Sequence, residues 1–334
     1  MRLRRRGVER HPQRQRRLAR PVISVGNLSV GGTGKTPVVA ALAERLIAAG
    51  HRPAILSRGY ARADAIDGVV VVSDGTAIRA TVDRSGDEPL MLARQVPKAI
   101  VCVSPDRHLA GTLAEQQLGC TVHLLDDGFQ HLELARNLDV LVTTIGEIPN
   151  GRVIPAGRLR EPMDAAARAH FLVVSDATAG AASAEAWALG ISQHCGAARA
   201  LAAPVVIGRA PFDSVRENAN VAQGRPGEGR REPEKILAIA GIANPERFFD
   251  ALKNASWNVV DAMTFPDHHR YTAKDIATID ARLTASGADV VFTTEKDAVR
   301  LESVSLSFTA YRVPLVVQFD PPEALFQSAM AVFG

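Results

Sequence analysis

Short, uninterrupted apolar runs alternate with amphipathic stretches along this chain. Runs at residues 22–25, 53–56, 69–72, 99–103, 121–125, 140–143 and 171–174 are too short for helices and carry almost no polar position, which predicts buried strands. Between the first two, residues 36–49 place Val38, Leu42, Leu46 and Ile47 on one helical face, with Pro37 in the first turn and Gly50 as the stop. A second helix is predicted up to Leu118, and the alanine-rich residues 177–203 read as partly helical. Residues 83–89 and 146–162, rich in glycine, proline and charge, read as loops. Residues 214–234 hold almost nothing apolar and read as a linker. Beyond it the rhythm restarts, with strands at 236–240, 259–263, 289–293 and near 314–317, and helices at 244–254, 272–285 and from 322. The pattern predicts an α/β protein: a mostly parallel sheet with helices on both faces over residues 21–213, and a second, smaller α/β domain over 235–334.

In such sheets ligands gather beyond the carboxyl ends of the strands, and the polar clusters of this chain lie there. The first strand runs into Ser29-Val30-Gly31-Gly32-Thr33-Gly34-Lys35-Thr36, and a helix follows. Strand, glycine-rich turn, Gly-Lys-Thr and helix together predict a phosphate-binding P-loop of the kind that holds ATP. Glycines let backbone N–H groups approach phosphate oxygens, Lys35 sets a cation against the outer phosphates, and Thr36 offers a hydroxyl to Mg²⁺. Ser29 stands where the usual pattern has its first glycine; Gly31, Gly32 and Gly34 keep the turn permissive.

Composition narrows the setting. The 334 residues suffice for two domains, and no run of 18 apolar residues exists to span a membrane as a helix. Cys102, Cys120 and Cys195 have no metal-ligand or redox spacing. The net charge of +3 hides an asymmetry: residues 1–20 carry nine arginines and one glutamate, so the remainder is net negative. The basic character belongs to a tail expected to fray, and it suits an anionic surface such as a membrane with acidic lipids. A nucleic-acid partner is not expected, because the rest of the chain has no recognition motif and only 5% aromatic residues.

Asp126 and Asp127 end an apolar strand, where a P-loop protein keeps an acidic Mg²⁺ ligand; a turn using aspartate for local hydrogen bonds is the alternative. In Gly86-Asp87-Glu88-Pro89, Asp87 fits a general base, while Glu88 before Pro89 fits a simple helix start equally well. Asp267-His268-His269 after a strand is either an acid/base group or a surface loop. Glu161 is unremarkable on position alone.

Taken together these blocks resemble the tetraacyldisaccharide 4′-kinase family of lipid A synthesis. The resemblance runs from residue 21 to about 300. It rests on Gly26-Asn27-Leu28 through Gly34-Lys35-Thr36-Pro37, Ser57-Arg58-Gly59-Tyr60, Gly86-Asp87-Glu88-Pro89 and Asp126-Asp127-Gly128-Phe129-Gln130-His131. It continues through Pro155-Ala156-Gly157, Leu159-Arg160-Glu161-Pro162, Gly241-Ile242-Ala243-Asn244-Pro245, Asp267-His268-His269 and Thr294-Glu295-Lys296-Asp297-Ala298. It implies a kinase on the cytoplasmic face of the inner membrane that moves the γ-phosphate of ATP to the 4′-hydroxyl of a tetraacyl glucosamine disaccharide 1-phosphate. It also implies Asp87 working with a histidine of the Asp-His-His block, His268 rather than His269, and Asp126, Asp127 and Glu161 near Mg²⁺. Arg58, Arg107, Gln130 and His269 are candidates for phosphate or substrate contacts. The arginine-rich start departs from the family's apolar, amphipathic one, which implies a more electrostatic attachment.

Three other readings compete. A cargo-positioning P-loop ATPase would carry a second lysine where Val30 stands. A GTP-binding module is only faintly suggested by Thr294-Glu295-Lys296-Asp297, whose lysine is misplaced. A kinase with a soluble acceptor is disfavoured by the basic tail.

Overall fold

Two sheets organise the chain. The computed structural model describes residues 15–59, 68–148, 150–207 and 234–334. The chain divides into one unit of residues 1–199 with 317–334, and another of residues 200–316.

The first unit is built on β1 (Val22–Gly26), β2 (Pro53–Ser57), β3 (Val70–Asp74), β4 (Ile100–Val103), β5 (Val122–Asp126), β6 (Leu138–Thr144), β7 (Phe171–Ser175) and β8 (Gln193–Leu201). With the late strand β14 (Leu315–Asp320) they form a nine-stranded sheet in the order β14-β8-β7-β6-β1-β5-β2-β4-β3. From β8 to β4 the pairing is parallel, and β3 closes one edge antiparallel to β4. The helices are α1 (Lys35–Ala48), α2 (Val82–Ser85), α3 (Asp87–Gln95), α4 (Arg107–Leu118) and α5 (Ala179–Leu189). Strand β1 is flanked by β5 on one side and β6 on the other, so connections leave it in both directions. That is the topological switch point at which open α/β sheets bind ligands.

Strands β1, β2, β4, β5 and β7 are buried along their whole length because both faces are covered. Val22, Ala54, Leu56, Ile100, Cys102 and Leu125 pack with Ala110 and Ala114 of α4. Leu28, Phe129, Leu141, Leu172 and Val174 pack with Ala182, Ala186 and Leu189 of α5.

The second unit holds β9 (Val205–Ile207), β10 (Ile236–Ala240), β11 (Val259–Thr264), β12 (Val290–Thr294) and β13 (Ala310–Val313), in the order β11-β10-β12-β13-β9. All pairs are parallel except β13 with β9. Helices α6 (Pro245–Asn254), α7 (Ala273–Ser286) and α8 (Glu295–Leu301) belong to it, while α9 (Ala324–Met330) follows β14.

Several expectations need revision. Residues 83–89 are not a loop: α2 and α3 occupy them, and Pro89 fits because its missing N–H falls in the first turn of α3. The alanine-rich stretch 177–203 yields α5 and then the nine-residue strand β8. The C-terminal stretch does not stay with the second unit, since β14 lies beside β8 in the larger sheet. The expected linker lies outside the described residues apart from Glu234, as do residues 1–14 of the basic tail.

Residues 15–20 of that tail are pinned rather than frayed. Arg16 N donates to Glu133 O, and Ala135 N donates to Arg16 O. The Arg16 guanidinium grips both oxygens of Asp106 at 2.8 and 2.7 Å. Leu18 packs on α4 at Gly111, where a Cβ would collide with it. Asp106 is also the N-cap of α4, accepting from Leu109 N at 3.0 Å. The Arg16 bond holds its carboxyl at about 2, burial opposing and the Leu109 N–H adding to the effect. Asp106→Ala is expected to lower stability by about 1–2 kcal/mol, mostly through the lost cap, because an ion pair this exposed is screened. A carboxyl depressed on folding contributes above its unfolded pKa and loses that contribution as pH falls through the folded one. Urea titrations should therefore show the wild-type advantage intact at pH 6 and shrinking from pH 4 towards pH 2.

Candidate active site

The end of β1 is shaped by what crosses it. A Cβ on Gly26 would stand 2.6 Å from the backbone N and Cβ of Phe129, so only glycine lets the strand pass the turn that follows β5. The loop beyond is braced from within. Asn27 Nδ2 donates to Thr33 Oγ1 at 3.1 Å, Ser175 Oγ donates to Thr33 O at 2.7 Å, and Gln130 Nε2 donates to Asn27 O at 2.8 Å. Gly31 and Gly34 have φ of 115° and 91°, a region that residues with a Cβ avoid. Gly34 caps α1 with no side-chain hydrogen bond, and the first turn holds no acidic residue. The N–H groups and the positive end of the helix dipole are thus left for an anion.

A second loop clasps the first. Val30 N donates to Arg158 O, and Nε and an Nη of Arg158 donate back to Val30 O at 3.2 and 2.8 Å. Arg160 N donates to Leu28 O. The Arg160 guanidinium bonds both oxygens of Asp127 at 3.0 and 2.8 Å. Asp127 sits at φ 54°, and its Oδ1 also lies 3.6 Å from Lys35 Nζ. Burial would raise its pKa, but Lys35 and then Arg160 outweigh that and hold it below the ordinary carboxylate value.

Asp126 behaves oppositely. It ends β5 directly beside Val25 of β1 and is buried, and its Oδ1 has no hydrogen-bond partner among the described residues. Burial, then the charges of Glu88 and Asp127, push its pKa up to about 7, with Lys35 and Arg107 opposing. Arg107, also buried, is drawn down to about 10 by burial and by Arg58, with Asp126 and Asp127 opposing. Lys35, Arg58, Arg107, Glu88, Asp126 and Asp127 therefore share one electrostatic cluster at the carboxyl ends of the strands. Asp87, 2% exposed, opens α3 next to Glu88 and so borders that cluster.

An orphaned carboxylate oxygen carrying this much repulsion fits a hard divalent cation, and Mg²⁺ needs only one or two protein oxygens beside substrate phosphates. No group of three or more His, Cys, Asp or Glu side chains suited to a metal occurs among the described residues. Glu161 is engaged elsewhere: both its oxygens accept from Arg168, at 3.0 and 2.9 Å. Gln130 is a brace, joining Asn27 O to Arg160 at 3.3 Å.

His268 and His269 belong to the second unit. His269 is tied into packing, with Nε2 3.2 Å from Asp275 and its ring stacked on Phe265. His268, at φ 61°, has Lys296 Nζ 3.2 Å from Nε2 and an Arg300 Nη 3.0 Å from Nδ1.

The family model for tetraacyldisaccharide-1-P 4′-kinase matches residues 1–331. The chain belongs to that family. A tetraacyldisaccharide 4′-kinase of Geobacter sulfurreducens is 43% identical over 86% of this chain and 76% of its own length. One from Desulfotalea psychrophila is 36% identical over 96% of this chain and 90% of its own. Among solved structures, the "apo" form of LpxK from Aquifex aeolicus in complex with ATP superposes with a TM-score of 0.74 at 28% identity, covering 99% of this chain and 94% of that one.

Membership in a kinase family agrees with a P-loop at the end of β1. Sequence reasoning missed the arginines that organise the site. Arg158 and Arg160 lie in a glycine- and proline-rich stretch without periodicity, and only their pairing with the P-loop reveals their use. Within the second unit, the pairing of Lys296 and Arg300 with His268 is visible only in the folded structure.

Proposed function

We infer that this chain is a kinase that transfers the γ-phosphate of ATP to the 4′-hydroxyl of a tetraacyl glucosamine disaccharide 1-phosphate, yielding the lipid A precursor lipid IVA. The family match over residues 1–331 carries the choice of acceptor, and the open N-terminus of α1 behind Lys35 supports the choice of donor.

A sugar hydroxyl is a poor nucleophile at neutral pH, and a placed carboxylate that takes its proton as the bond to phosphorus forms removes that handicap. Asp87 is assigned that role, with His268 as its partner. The loose transition state gathers charge on the phosphoryl oxygens. Lys35 faces that charge, and Arg58 and Arg107 add to the positive field. Asp127, fixed between Lys35 and Arg160, orients the lysine. Mg²⁺, when bound, would be held by Asp126 and Thr36 and would neutralise charge on the phosphate oxygens.

The direct test is transfer of label from ATP to the tetraacyl disaccharide 1-phosphate in detergent micelles. A 4′-phosphorylated product that forms only with Mg²⁺ present is expected. ATP hydrolysis without lipid product would favour a switch ATPase.

No helix among the described residues is long and apolar enough to cross a membrane. The nine arginines within residues 1–20 support peripheral attachment to an anionic, inner-membrane surface, at ~1 kcal/mol per basic residue near it. Binding to vesicles containing acidic phospholipid should fall steeply between 50 and 300 mM salt; salt-insensitive binding would point to insertion instead.

A further inference from the structure

Two arms of the phosphate site meet on one guanidinium. Arg168 ends the short helical turn Met163–Arg168, whose Ala165 and Ala166 are anchored in the core beside α5. Its two terminal nitrogens donate to the two oxygens of Glu161 at 3.0 and 2.9 Å. Its Cζ also lies 4.8 Å from the ring centre of Phe129, a cation–π contact. Phe129 is fully buried and pressed against Gly26 at the end of β1. It stands two residues after Asp127, and Glu161 directly follows Arg160. One side chain therefore ties the turn that carries Asp127 to the loop that carries Arg160.

The tie has an electrostatic consequence. Glu161 is buried, and Arg168 is the partner of both its oxygens. A buried carboxylate stripped of its cation is costly, and one on a loop escapes that cost by turning out to water. Such a turn carries Arg160 with it, because the two residues are neighbours in the chain. Arg160 is what competes with Lys35 for Asp127. One of its guanidinium nitrogens bonds both Asp127 oxygens at 3.0 and 2.8 Å, while Lys35 Nζ stays at 3.6 Å. An aspartate released by Arg160 closes on the lysine in a charge-assisted hydrogen bond, which spends the ammonium before any phosphate arrives.

We propose that Arg168 is a positioning residue for nucleotide binding: through Glu161 it holds Arg160 on Asp127, and so keeps the Lys35 ammonium available to the outer phosphates of ATP. This rests on the reading of residues 29–36 as the ATP site, whatever the acceptor.

The readout is binding of ATP to the full-length protein by calorimetry, without lipid, and without Mg²⁺ so that no metal contact of Asp127 enters. Arg168→Met should weaken ATP binding about tenfold, the scale of one hydrogen bond to a charged group. Arg168→Lys keeps a cation near Phe129 but cannot grip both Glu161 oxygens, and should weaken binding about threefold. The decisive background is Asp127→Asn, which removes the charge that captures Lys35. There, Arg168→Met and Arg168→Lys should each change ATP affinity by less than about twofold, because the effects of residues acting through one another do not add. A merely structural Arg168 would cost the same affinity with and without the Asp127 charge, and that result overturns the proposal. Wild-type affinity in an Arg168→Met protein that urea titration shows to be folded overturns it as well. Should Arg168→Met fail to fold, Arg168→Lys with and without Asp127→Asn decides the matter by the same comparison. A wild-type protein that binds ATP and phosphorylates no disaccharide would end the proposed function, while the binding comparison still reports on Arg168.

Discussion

Asp87→Asn is expected to lower kcat for lipid phosphorylation by about 10²–10⁴-fold, the usual worth of a general base, while KM for ATP changes by less than about twofold, since an interaction confined to the transition state leaves ground-state binding intact. The substitution isolates chemistry from packing. Asp87 is 2% exposed and begins α3 behind Gly86, whose φ of 84° requires glycine and brings the helix start to its place. Asparagine has nearly the same shape and can remain there, but cannot take a proton from a hydroxyl. The site also suits a carboxylate, because the first turn of a helix favours negative charge. Glu88, one residue on, already acts electrostatically on Asp126, so the start of α3 faces the cluster of charge that surrounds the P-loop. The measurement is initial-rate transfer from labelled ATP in detergent micelles, with nucleotide binding followed separately. Transfer by Asp87→Asn at the wild-type rate would discard Asp87 as the base and leave the kinase assignment standing.

The parts of this site that were legible in the sequence are local ones. An apolar run followed by Gly31, Gly32, Gly34 and Lys35 announces a P-loop because backbone chemistry demands those residues in that order. Asp126 and Asp127 are visible because they end a buried strand. What escaped depended on distant partners. Gly86-Asp87-Glu88-Pro89 reads as a turn, yet Pro89 is tolerated in the first turn of α3. The alanines of β8 favour a helix by propensity, but a place between β7 and β14 in the sheet overrides it. Arg158 and Arg160 look like ordinary loop arginines until their hydrogen bonds to Val30 and Asp127 are seen. Residues 315–320 alternate in burial like any half-covered strand, and nothing in that alternation says which sheet edge they join. Glu161, which the family resemblance places near Mg²⁺, has both oxygens bonded to Arg168, a partner that its position in the sequence does not reveal.

Lys35→Met should reduce kcat by about 10²–10³-fold, the scale on which single preorganised transition-state contacts act. Its Nζ sits 3.6 Å from Asp127 Oδ1, beyond a good hydrogen bond, whereas Arg160 holds both oxygens of the same carboxylate at 3.0 and 2.8 Å. Asp127 is thus committed to Arg160, and the lysine charge is oriented without being fully spent. Methionine keeps the apolar stem beside the start of α1 and removes only that charge. Because Arg160 still secures Asp127, and the Lys35 pair is partly open to solvent, unfolding free energy should change by no more than about 1 kcal/mol. Lys35→Arg should not restore activity, since a planar fork cannot reproduce a compact ammonium between glycine backbone and phosphate. Parallel chemical denaturation and single-turnover transfer separate the two effects. A variant that folds with wild-type stability and still transfers phosphate at more than about a tenth of the wild-type rate would mean that Arg58 and Arg107, with the α1 N-terminus, carry the transition-state charge without Lys35.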